Sequence, residues 1–570
     1  MEKLLHGIAA SPGIGVGRAK LYQMTKISAA KRETQDRPSE LSRYYSAAQR
    51  FCAQLREKAE HIAPVAGQEQ ADILLSQAAM VQDVYFEEQI KQCIAAFQSA
   101  EAAVDTVCAA FIRGFSASQS EMLRQRAIDL QDLRDRLLRI LLGLPEADLS
   151  NLSPETVLVA DSLPPSVMTA LAAHPVSGIV LCKEGKASHS VILARAMEIP
   201  TVVGAKNAAA WICDGEWVVV DGTEGTVLFT PSKEQLTAGK TKQAQYRQER
   251  EALNIYMHRP AKTADDKIIR LTAGVGSEQE ARAAEKYGCD GIGLLRSEFL
   301  YLNRPTLPGE EEQFQAYRGM AQRSEKPLII RTLDIGGDKL LPGLSWEQEQ
   351  NPYLGCRGVR LYREKEGLFR TQVRAVLRAG SFGDVRLLLP MVTGVEELRW
   401  VKSVVRECEE ELQSRGEPYR EKMPLGVMVE TAAAALVSDL LAEEADFFSI
   451  GLNDLTQYTL AVDRDNATVS HLYSYYDPSL LRFVSHVLRQ GKAADIPVSI
   501  CGQAAADPLY LPLLLGLGAE ELNVQPSFLL PVRKNLSLWS LPDAVSLAEQ
   551  ALTLRTEPEV RALLTRNRRE

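Results

Sequence analysis

The chain has 570 residues, and its 45% of hydrophobic and 24% of charged residues are typical of a globular protein with three or four domains. A formal net charge of −9 argues against a general nucleic-acid-binding role, because phosphate backbones bind basic surfaces. The nine cysteines form no C-x-x-C pair, the N-terminus does not resemble a signal peptide, and no apolar run reaches the roughly 18 residues of a membrane span. We therefore expect a cytoplasmic protein with no disulfide framework and no membrane insertion.

The N-terminal residues 1–27 contain short β-like runs around Gly13, Gly15 and Gly17. Their G-x-G-x-G spacing differs from the dinucleotide-binding fingerprint, and no helical pattern follows it at once. A tight turn is therefore a better interpretation of these glycines than a cofactor loop.

Residues 28–143 are rich in helix-forming side chains and contain almost no glycine. Towards the end of this stretch apolar residues recur at intervals of three and four, and Gly143 is a suitable helix stop. The apolar positions are Ile128, Leu130, Leu133, Leu137, Leu138 and Leu141. This pattern predicts a helical bundle with a structural or partner-binding role.

Residues 144–230 alternate β-rich runs with helical segments and predict a small α/β domain, and the polar stretch 231–264 predicts a linker helix. From 265 to 570, eight β-like runs alternate with helical segments, which predicts a (β/α)8 TIM barrel. The runs are IIRLTAG (268–274), DGIGLL (290–295), LIIRTL (328–333), RLLLPMV (386–392), GVMVE (426–430), FFSI (447–450), PVSIC (497–501) and ELNV (521–524).

Polar residues gather where these predicted strands end, which is the end of a barrel that carries the active site. A purely structural role would scatter them evenly over both ends. The residues are Arg296, Arg331, Glu430, Asn453, Asp454 and Cys501.

Glu430 and Asp454 follow neighbouring strands, and such a pair favours Mg²⁺, which takes one or two carboxylates together with substrate phosphate. Pairing of each carboxylate with a nearby arginine explains the pattern equally well.

Arginines near the strand ends offer paired donors for phosphate and carboxylate groups, and together they indicate a small, highly anionic substrate. A single arginine would be better explained by a surface salt bridge. The four are Arg296, Arg331, Arg357 and Arg464.

The segment 184–195, EGKASHSVILAR, places His189 after a glycine and before an apolar helical start. Ser188 can cap that helix, and a helix N-terminus stabilises negative charge such as a phosphoryl group on the imidazole. Neutral imidazole is a competent nucleophile near pH 7. A surface histidine is more often inert, so this segment alone leaves its role open.

Eight motifs occur in order along nearly the whole chain, and together they resemble enzyme I of the bacterial sugar phosphotransferase system, the phosphoenolpyruvate–protein phosphotransferase family. The FFSIG-to-AVDR and RTLDIGGDK motifs are the most specific to it. The motifs are ASPGIGVGRA (10–19), the His189 segment, GLLRSEFLYLNR (293–304), RTLDIGGDK (331–339), NPYLGCRGVR (351–360), GVMVET (426–431), FFSIGLNDLTQYTLAVDR (447–464) and CGQAAAD (501–507).

The resemblance implies phosphoryl transfer from phosphoenolpyruvate (PEP) to His189 and then to a phosphocarrier protein of the HPr type. It implies a phosphohistidine domain built from 1–27 and 144–230, with an inserted carrier-binding helical domain at 28–143. A linker helix at 231–264 would lead to a PEP-binding barrel at 265–570, through which the chain would form a homodimer.

The same resemblance implies roles for residues at the strand ends. Glu430 and Asp454 would hold Mg²⁺, and Cys501 would protonate the enolate carbon as pyruvate forms. The PEP-binding residues would be Arg296, Arg331, Asn453, Asp454 and Arg464.

Several positions depart from the family pattern, and they concern the surroundings of the histidine and the recognition of the carrier. Every residue assigned to the chemical step is retained, so we expect an active enzyme whose rate or carrier preference differs. The departures are Gln77, Met168, Ala187 and Gln503.

Two alternatives predict different chemistry. Pyruvate phosphate dikinase and PEP synthase share the phosphohistidine and barrel domains, but they need an ATP-binding domain, and no Walker loop occurs in this sequence. A non-catalytic regulator that binds a carrier protein is disfavoured by the retained acidic and basic residues, although Gln77 makes carrier binding the weaker part of the case.

Overall fold

A computed structural model describes the chain as two compact units, Met1–Glu251 and Ala252–Glu570. All nine cysteines are free thiols. Among the described residues, no helix combines the length and the apolar character needed to cross a bilayer. The described residues are 3–22, 34, 36–66, 75, 77–116, 121–144, 152–163, 167–168, 171, 176–183, 189–301, 306–323, 325–336, 349–464, 466 and 468–569.

The first unit contains an eight-stranded mixed sheet in the order β1-β8-β7-β3-β4-β5-β6-β2. Strands β3 to β6 pair in parallel, and the other pairs are antiparallel. The strands are β1 (Leu4–His6), β2 (Ile8–Ser11), β3 (Ile14–Tyr22), β4 (Thr156–Ala160), β5 (Gly178–Leu181), β6 (Thr201–Val203), β7 (Trp217–Asp221) and β8 (Thr226–Phe229).

The glycines of the G-x-G-x-G pattern do not all lie in a turn, so that interpretation is wrong for Gly15 and Gly17, which belong to β3. A β-carbon at Gly15 would lie 2.4 Å from the carbonyl oxygen of Ser177, and one at Gly17 would lie 2.2 Å from that of Glu155. These glycines are therefore needed for a close backbone approach within the sheet.

A helical bundle is inserted between β3 and β4, two strands that pair directly with each other. In α2 the side chain of Asp83 caps the N-terminus by accepting from the backbone N–H groups of Tyr85 and Phe86. Within the described part of the chain, the bundle includes α1 (Arg37–Ala66), α2 (Val84–Ala95), α3 (Ala100–Ser116) and α4 (Glu121–Leu142).

After the bundle, the helices with described bounds in this unit are α5 (His189–Ala196), α6 (Ala208–Trp211) and α7 (Lys233–Leu253). Helix α7 is almost entirely polar, and its one buried residue is Gly239. Such a helix cannot bury a wide apolar stripe, which suits a connecting segment.

The second unit is a closed barrel of eight parallel strands, each paired with its neighbours in sequence, and β16 closes onto β9. Each of the eight runs predicted from the sequence overlaps one of these strands. They are β9 (Arg270–Val275), β10 (Ile292–Arg296), β11 (Leu328–Arg331), β12 (Val385–Leu389), β13 (Leu425–Val429), β14 (Phe447–Gly451), β15 (Val498–Cys501) and β16 (Glu521–Val524).

The described helices of this unit follow the strands along the chain and share one large apolar core with them. They are α8 (Glu278–Lys286), α9 (Glu310–Ala321), α10 (Val359–Glu364), α11 (Glu366–Ala379), α12 (Val395–Arg415), α13 (Ala432–Leu436), α14 (Ser438–Ala442), α15 (Leu452–Leu460), α16 (Pro478–Ala493), α17 (Leu511–Gly516), α18 (Leu529–Leu536), α19 (Leu541–Thr553) and α20 (Glu557–Arg566).

A second, smaller apolar cluster takes one residue from each of six barrel strands. Its members stand on the strand face opposite to the helices, so the barrel is filled rather than open. The six are Leu294, Ile329, Leu388, Met428, Phe447 and Cys501.

Helix α11 carries an arginine at every fourth position, at 370, 374 and 378, and these pair with glutamates of α9 and α12. Glu310 is the central acceptor, with Arg374 Nε at 2.6 Å and Arg378 Nη1 at 3.0 Å. Burial alone would raise the pKa of Glu310, but hydrogen bonds and charge from Arg374 and Arg378 outweigh it and hold the pKa below its ordinary value.

We expect Glu310→Gln to destabilise the barrel by about 1 kcal/mol at neutral pH, since charge-assisted bonds from two arginines are lost. Because the folded pKa is depressed, this stabilisation is present above the unfolded pKa of about 4.3 and is lost as the pH falls through the folded value. The difference in thermal midpoint between parent and variant should therefore shrink between about pH 7 and pH 3.

The matched control is Glu407→Gln, which removes one exposed partner of Arg370 and should cost less than about 0.5 kcal/mol. An equal loss in both variants, or a Glu310→Gln effect that does not depend on pH, would contradict the central role of Glu310.

Candidate active site

The carboxyl ends of the barrel strands bring the predicted residues to one end of the second unit. Arg296 and Arg331 are the last residues of neighbouring strands and form a register pair. Cys501 ends β15 opposite Gly451 of β14. Glu430 directly follows β13, and Asp454 lies in the first turn of the helix after β14. Parallel strands point the same way, so these ends share one mouth.

Arg331 and Arg357 share a single carboxylate, that of Asp334. Arg357 donates from Nε to Oδ1 at 2.8 Å and from Nη2 to Oδ2 at 2.9 Å, while Arg331 Nη1 lies 2.9 Å from Oδ2. Glu298 Oε1 accepts from Arg331 Nη2 at 3.0 Å. At most 12% of any of these side chains is exposed, and we refer to Glu298, Arg331, Asp334 and Arg357 as the arginine–carboxylate cluster.

The charges of this cluster keep both guanidinium groups protonated. Burial lowers the pKa of Arg331, but Glu298 and Asp334 more than offset it, so the pKa lies above its ordinary value. The same balance, with Asp334 as the main partner, raises the pKa of Arg357. Two fixed positive charges therefore stand at the barrel mouth.

Glu430 is 1% exposed and directly follows β13 at the mouth. Its Oε1 accepts from the backbone N–H of Met391 at 2.7 Å, and Met391 adopts a left-handed φ of 61° to present that group. Burial and the negative charges of Asp334 and Asp454 raise the pKa of Glu430 well above its ordinary value, against the opposing effect of Arg331 and Arg357. A cation beside this carboxylate would favour its ionised form.

Asp454 faces two arginines without a direct hydrogen bond. Its Oδ1 lies 3.5 Å from Nη1 of Arg357 and 3.5 Å from Nη1 of Arg464. This oxygen is buried and accepts no hydrogen bond from any residue within the described ranges. An orphaned buried carboxylate oxygen beside Glu430 fits a divalent cation.

The donor set is small. Within the described part of the chain, no three His, Cys, Asp or Glu side chains are grouped so that they could hold a metal by themselves. Two carboxylates with substrate oxygens are the arrangement that Mg²⁺ commonly uses, so the residues fit that ion better than a metal that needs a closed protein site.

Cys501 is 5% exposed, and its Sγ lies 3.2 Å from the carbonyl oxygen of Ile450. Burial raises the pKa of the thiol to about 11, with a smaller opposing effect of Ser449 and a further rise from Glu430. The group is therefore a neutral thiol, and so a proton donor, at neutral pH. Gly502, with φ at 112°, turns the chain immediately afterwards.

Asn453 and Arg296 also lie at this end of the barrel. The Asn453 side chain accepts from the backbone N–H of Gln503 at 3.4 Å, and the backbone carbonyl oxygen of Asn453 accepts from the Tyr473 hydroxyl at 3.0 Å. Arg296 is 40% exposed and lies 3.5 Å from Glu280. Asn453 is half-buried, so neither residue is fully enclosed.

In the first unit, His189 begins helix α5 as the sequence predicts for a residue at a helix N-terminus. The side chain of His189 and residues 184–188, including Ala187, lie outside the described part of the structure. Met168 is fully buried, and Gln77 is buried with its Nε2 3.4 Å from Asp132 Oδ2.

Glu298, Asp334 and Met391 contact the predicted arginines and Glu430, but they were not among the site residues predicted from the sequence. Glu298 and Asp334 both stand inside motifs that carried the resemblance, so their positions were available as a signal. Only the folded structure shows that their partners are Arg331 and Arg357.

Comparisons with known proteins cover almost the whole chain. Residues 250–540 match the family model described as PEP-utilising enzyme, PEP-binding domain. Residues 152–225 match the PEP-utilising enzyme mobile domain, and residues 6–126 match the PEP-utilising enzyme N-terminal domain.

Several relatives carry the name phosphoenolpyruvate-protein phosphotransferase. Those of Bacillus sp. (strain S) and Geobacillus stearothermophilus are each 38% identical over 567 residues, covering 99% of this chain and 98% of the relative. That of Bacillus subtilis (strain 168) is 36% identical over 562 residues, covering 98% of this chain and 99% of the relative.

A solution structure of the Enzyme I protein nEIt is 30% identical and covers 43% of this chain and 99% of its own, with a TM-score of 0.37, too low to support the fold by itself. The full-length relatives and the matched PEP-binding domain are sufficient without it. The chain belongs to the phosphoenolpyruvate-protein phosphotransferase family, the enzymes I of the phosphotransferase system.

Proposed function

We propose that the chain transfers the phosphoryl group of PEP to its own His189 and then to a histidine-containing phosphocarrier protein of the HPr type, releasing pyruvate. This is the first step of the sugar phosphotransferase system. The observation that carries the proposal is the convergence of Arg331, Arg357 and Arg464 with Glu430 and Asp454 at the carboxyl end of the barrel.

PEP carries a phosphate and a carboxylate, and both groups suit guanidinium donors. Arg331 and Arg464 would bind these groups, together with Arg296 and Asn453 at the accessible edge. Arg331 supports this role because its Nε is buried and has no hydrogen-bond partner among the described residues. A buried donor without a partner is satisfied when an anionic ligand binds.

Glu430 and Asp454 would hold Mg²⁺, with Asp454 also facing the substrate. The ion would supply charge neutralisation to the phosphoryl group, which is the main requirement of this reaction. The surrounding residues fix the position of the Glu430 carboxylate. Met391 donates to one of its oxygens, and Gly451 leaves room for the other, since a β-carbon there would lie only 2.8 Å away.

Loss of the phosphoryl group leaves the enolate of pyruvate, which needs a proton on carbon. Cys501 would donate it, because its buried thiol remains protonated at neutral pH. Its place at the end of β15, opposite Gly451, puts it beside the proposed PEP pocket.

The catalytic cycle requires the phosphohistidine domain to visit the barrel mouth and then the carrier. We assign that domain to 1–27 and 144–230, carrier binding to the helical insert 28–143, and the connection to 231–264. Family resemblance also supports a homodimer through the barrel at 265–570. The nine free thiols agree with a cytoplasmic location.

Incubation of the full chain with Mg²⁺ and PEP should release pyruvate and leave acid-labile phosphate on the protein. His189→Ala should abolish both, since it removes the nucleophile. The control His258→Ala, at an exposed histidine of the second unit, should label like the parent. Normal labelling of the His189 variant would disprove the assignment, and an unlabelled parent would favour a non-catalytic regulator.

Cys501→Ser should lower the rate of pyruvate formation by about 10²–10⁴-fold, the usual contribution of a positioned general acid. Because burial raises the pKa of the Cys501 thiol to about 11, the parent should show no loss of rate from thiol ionisation at neutral and mildly alkaline pH. The control is Cys213→Ser, at an exposed cysteine of the first unit. Equal rates of pyruvate release in the two variants would rule out the role of Cys501.

Glu430→Gln should raise the Mg²⁺ concentration for half-maximal phosphorylation by at least about tenfold, because one of two carboxylates is lost. The matched control is Glu521→Gln, a buried glutamate at the first residue of β16 and hence at the opposite end of the barrel. The measurement is a Mg²⁺ titration of labelling by PEP, and an unchanged titration curve would contradict the proposed ligand role.

A further inference from the structure

Two buried carboxylates at the barrel mouth have no role in the reaction as proposed. Asp334 is 2% exposed at its side chain, and both of its oxygens are used by arginines, with three contacts between 2.8 and 2.9 Å. Glu298 accepts from the Arg331 guanidinium and, at 2.8 Å, from the backbone N–H of Asp334. Glu298, Arg331 and Asp334 thus form a closed ring of contacts, and Arg357 is joined to this ring through Asp334.

One buried glutamine connects the two chain segments that carry these carboxylates. Gln372 donates from Nε2 to the hydroxyl of Ser297 at 3.0 Å and accepts from the backbone N–H of Leu333 at 2.9 Å. Ser297 precedes Glu298, and Leu333 precedes Asp334, so one side chain from α11 holds the segments that follow β10 and β11. Such a connected and buried network restricts the cluster to a single arrangement.

The cluster leaves specific guanidinium atoms for a ligand. In Arg331, Nη1 and Nη2 contact carboxylates, while Nε is buried without a partner among the described residues. In Arg357, Nε and Nη2 are used by Asp334, and Nη1 points to the hydroxyl of Tyr458 at 3.3 Å and towards Asp454. The carboxylates of the cluster therefore fix the orientation of each guanidinium group and leave Nε of Arg331 and Nη1 of Arg357 outside their own contacts.

We propose that Asp334 is a positioning residue for phosphoryl transfer, which fixes Arg331 and Arg357 side by side before PEP binds, with Glu298 holding the second edge of Arg331. This inference rests on the proposed function of the same site. Positioning has a direct effect on rate, because a misplaced charge no longer meets the charge that develops on the transferring group.

Asp334 could act through its negative charge or through the positions that it gives to the two arginines, and these two roles predict opposite effects on PEP binding when Asp334 is replaced. Asp334→Asn makes the mouth one unit more positive, which by charge alone would strengthen the binding of an anionic substrate. A loss of preorganisation instead lowers the rate of the chemical step and does not improve binding. The two effects can be separated by measuring the maximal rate and the half-saturating PEP concentration independently.

The experiment is single-turnover phosphorylation of the full chain by PEP at saturating Mg²⁺, for the parent, Asp334→Asn, Glu298→Gln and Asp384→Asn. The last is the matched control: Asp384 also pairs with two arginines, Arg386 and Arg420, but it precedes β12 at the opposite end of the barrel. We expect the maximal rate constant of Asp334→Asn to fall about 100-fold, with no decrease in half-saturating PEP, while Asp384→Asn labels like the parent.

A maximal rate within threefold of the Asp384→Asn control would overturn the inference, as would a lower half-saturating PEP at an unchanged maximal rate. Thermal unfolding of each variant identifies any loss of folding. If Asp334→Asn does not fold, Glu298→Gln decides, since a fall in its maximal rate of about tenfold or more supports the positioning role and an unchanged rate removes it. An unlabelled parent overturns the proposed function itself, and this inference with it.

Discussion

Closure of the barrel is the constraint on which the site depends. Eight parallel strands that pair around a ring must all end on the same side, so residues separated by many positions in sequence become neighbours. Arg331, Glu430 and Asp454 come from three different strand ends, and no local structure could bring them together. The apolar interior below them excludes water, which strengthens the interactions among these charges.

The mouth assembled in this way is nearly balanced in charge. Burying Glu430 next to Asp454 is unfavourable, and it is tolerated because arginines lie close to both carboxylates. The orphaned oxygen of Asp454 and the free Nε of Arg331 are the two points where this balance is incomplete within the described residues. A cation such as Mg²⁺ would satisfy the oxygen of Asp454, and an anion such as PEP would satisfy the Nε of Arg331.

Much of the fold could be predicted from sequence because buried parallel strands are short apolar runs with clear boundaries. FFSI and ELNV are examples, and each coincides with a strand of the barrel to within one residue. The glycines at 15 and 17 were misinterpreted as a turn, since a strand in close contact with its neighbour's backbone selects glycine as strongly as a turn does.

The site could be predicted only in part. Charged residues near strand ends were recognisable, but a carboxylate that orients an arginine is identified by its partner, and Asp334 and Arg357 are 23 positions apart in the chain. Met391 was equally hidden, because its contribution is a backbone N–H whose direction depends on a left-handed φ. The role of His189 rests on its motif, as only the backbone of that residue is described.

The position of the helical bundle has an evolutionary consequence. Because the bundle enters and leaves between β3 and β4, which pair directly, the sheet is complete without it. If the bundle contacts the carrier, substitutions such as Gln77 can alter the choice of partner while the eight-stranded sheet and the barrel stay the same. The same barrel can then serve different acceptor proteins through sequence changes that are confined to the inserted helical bundle.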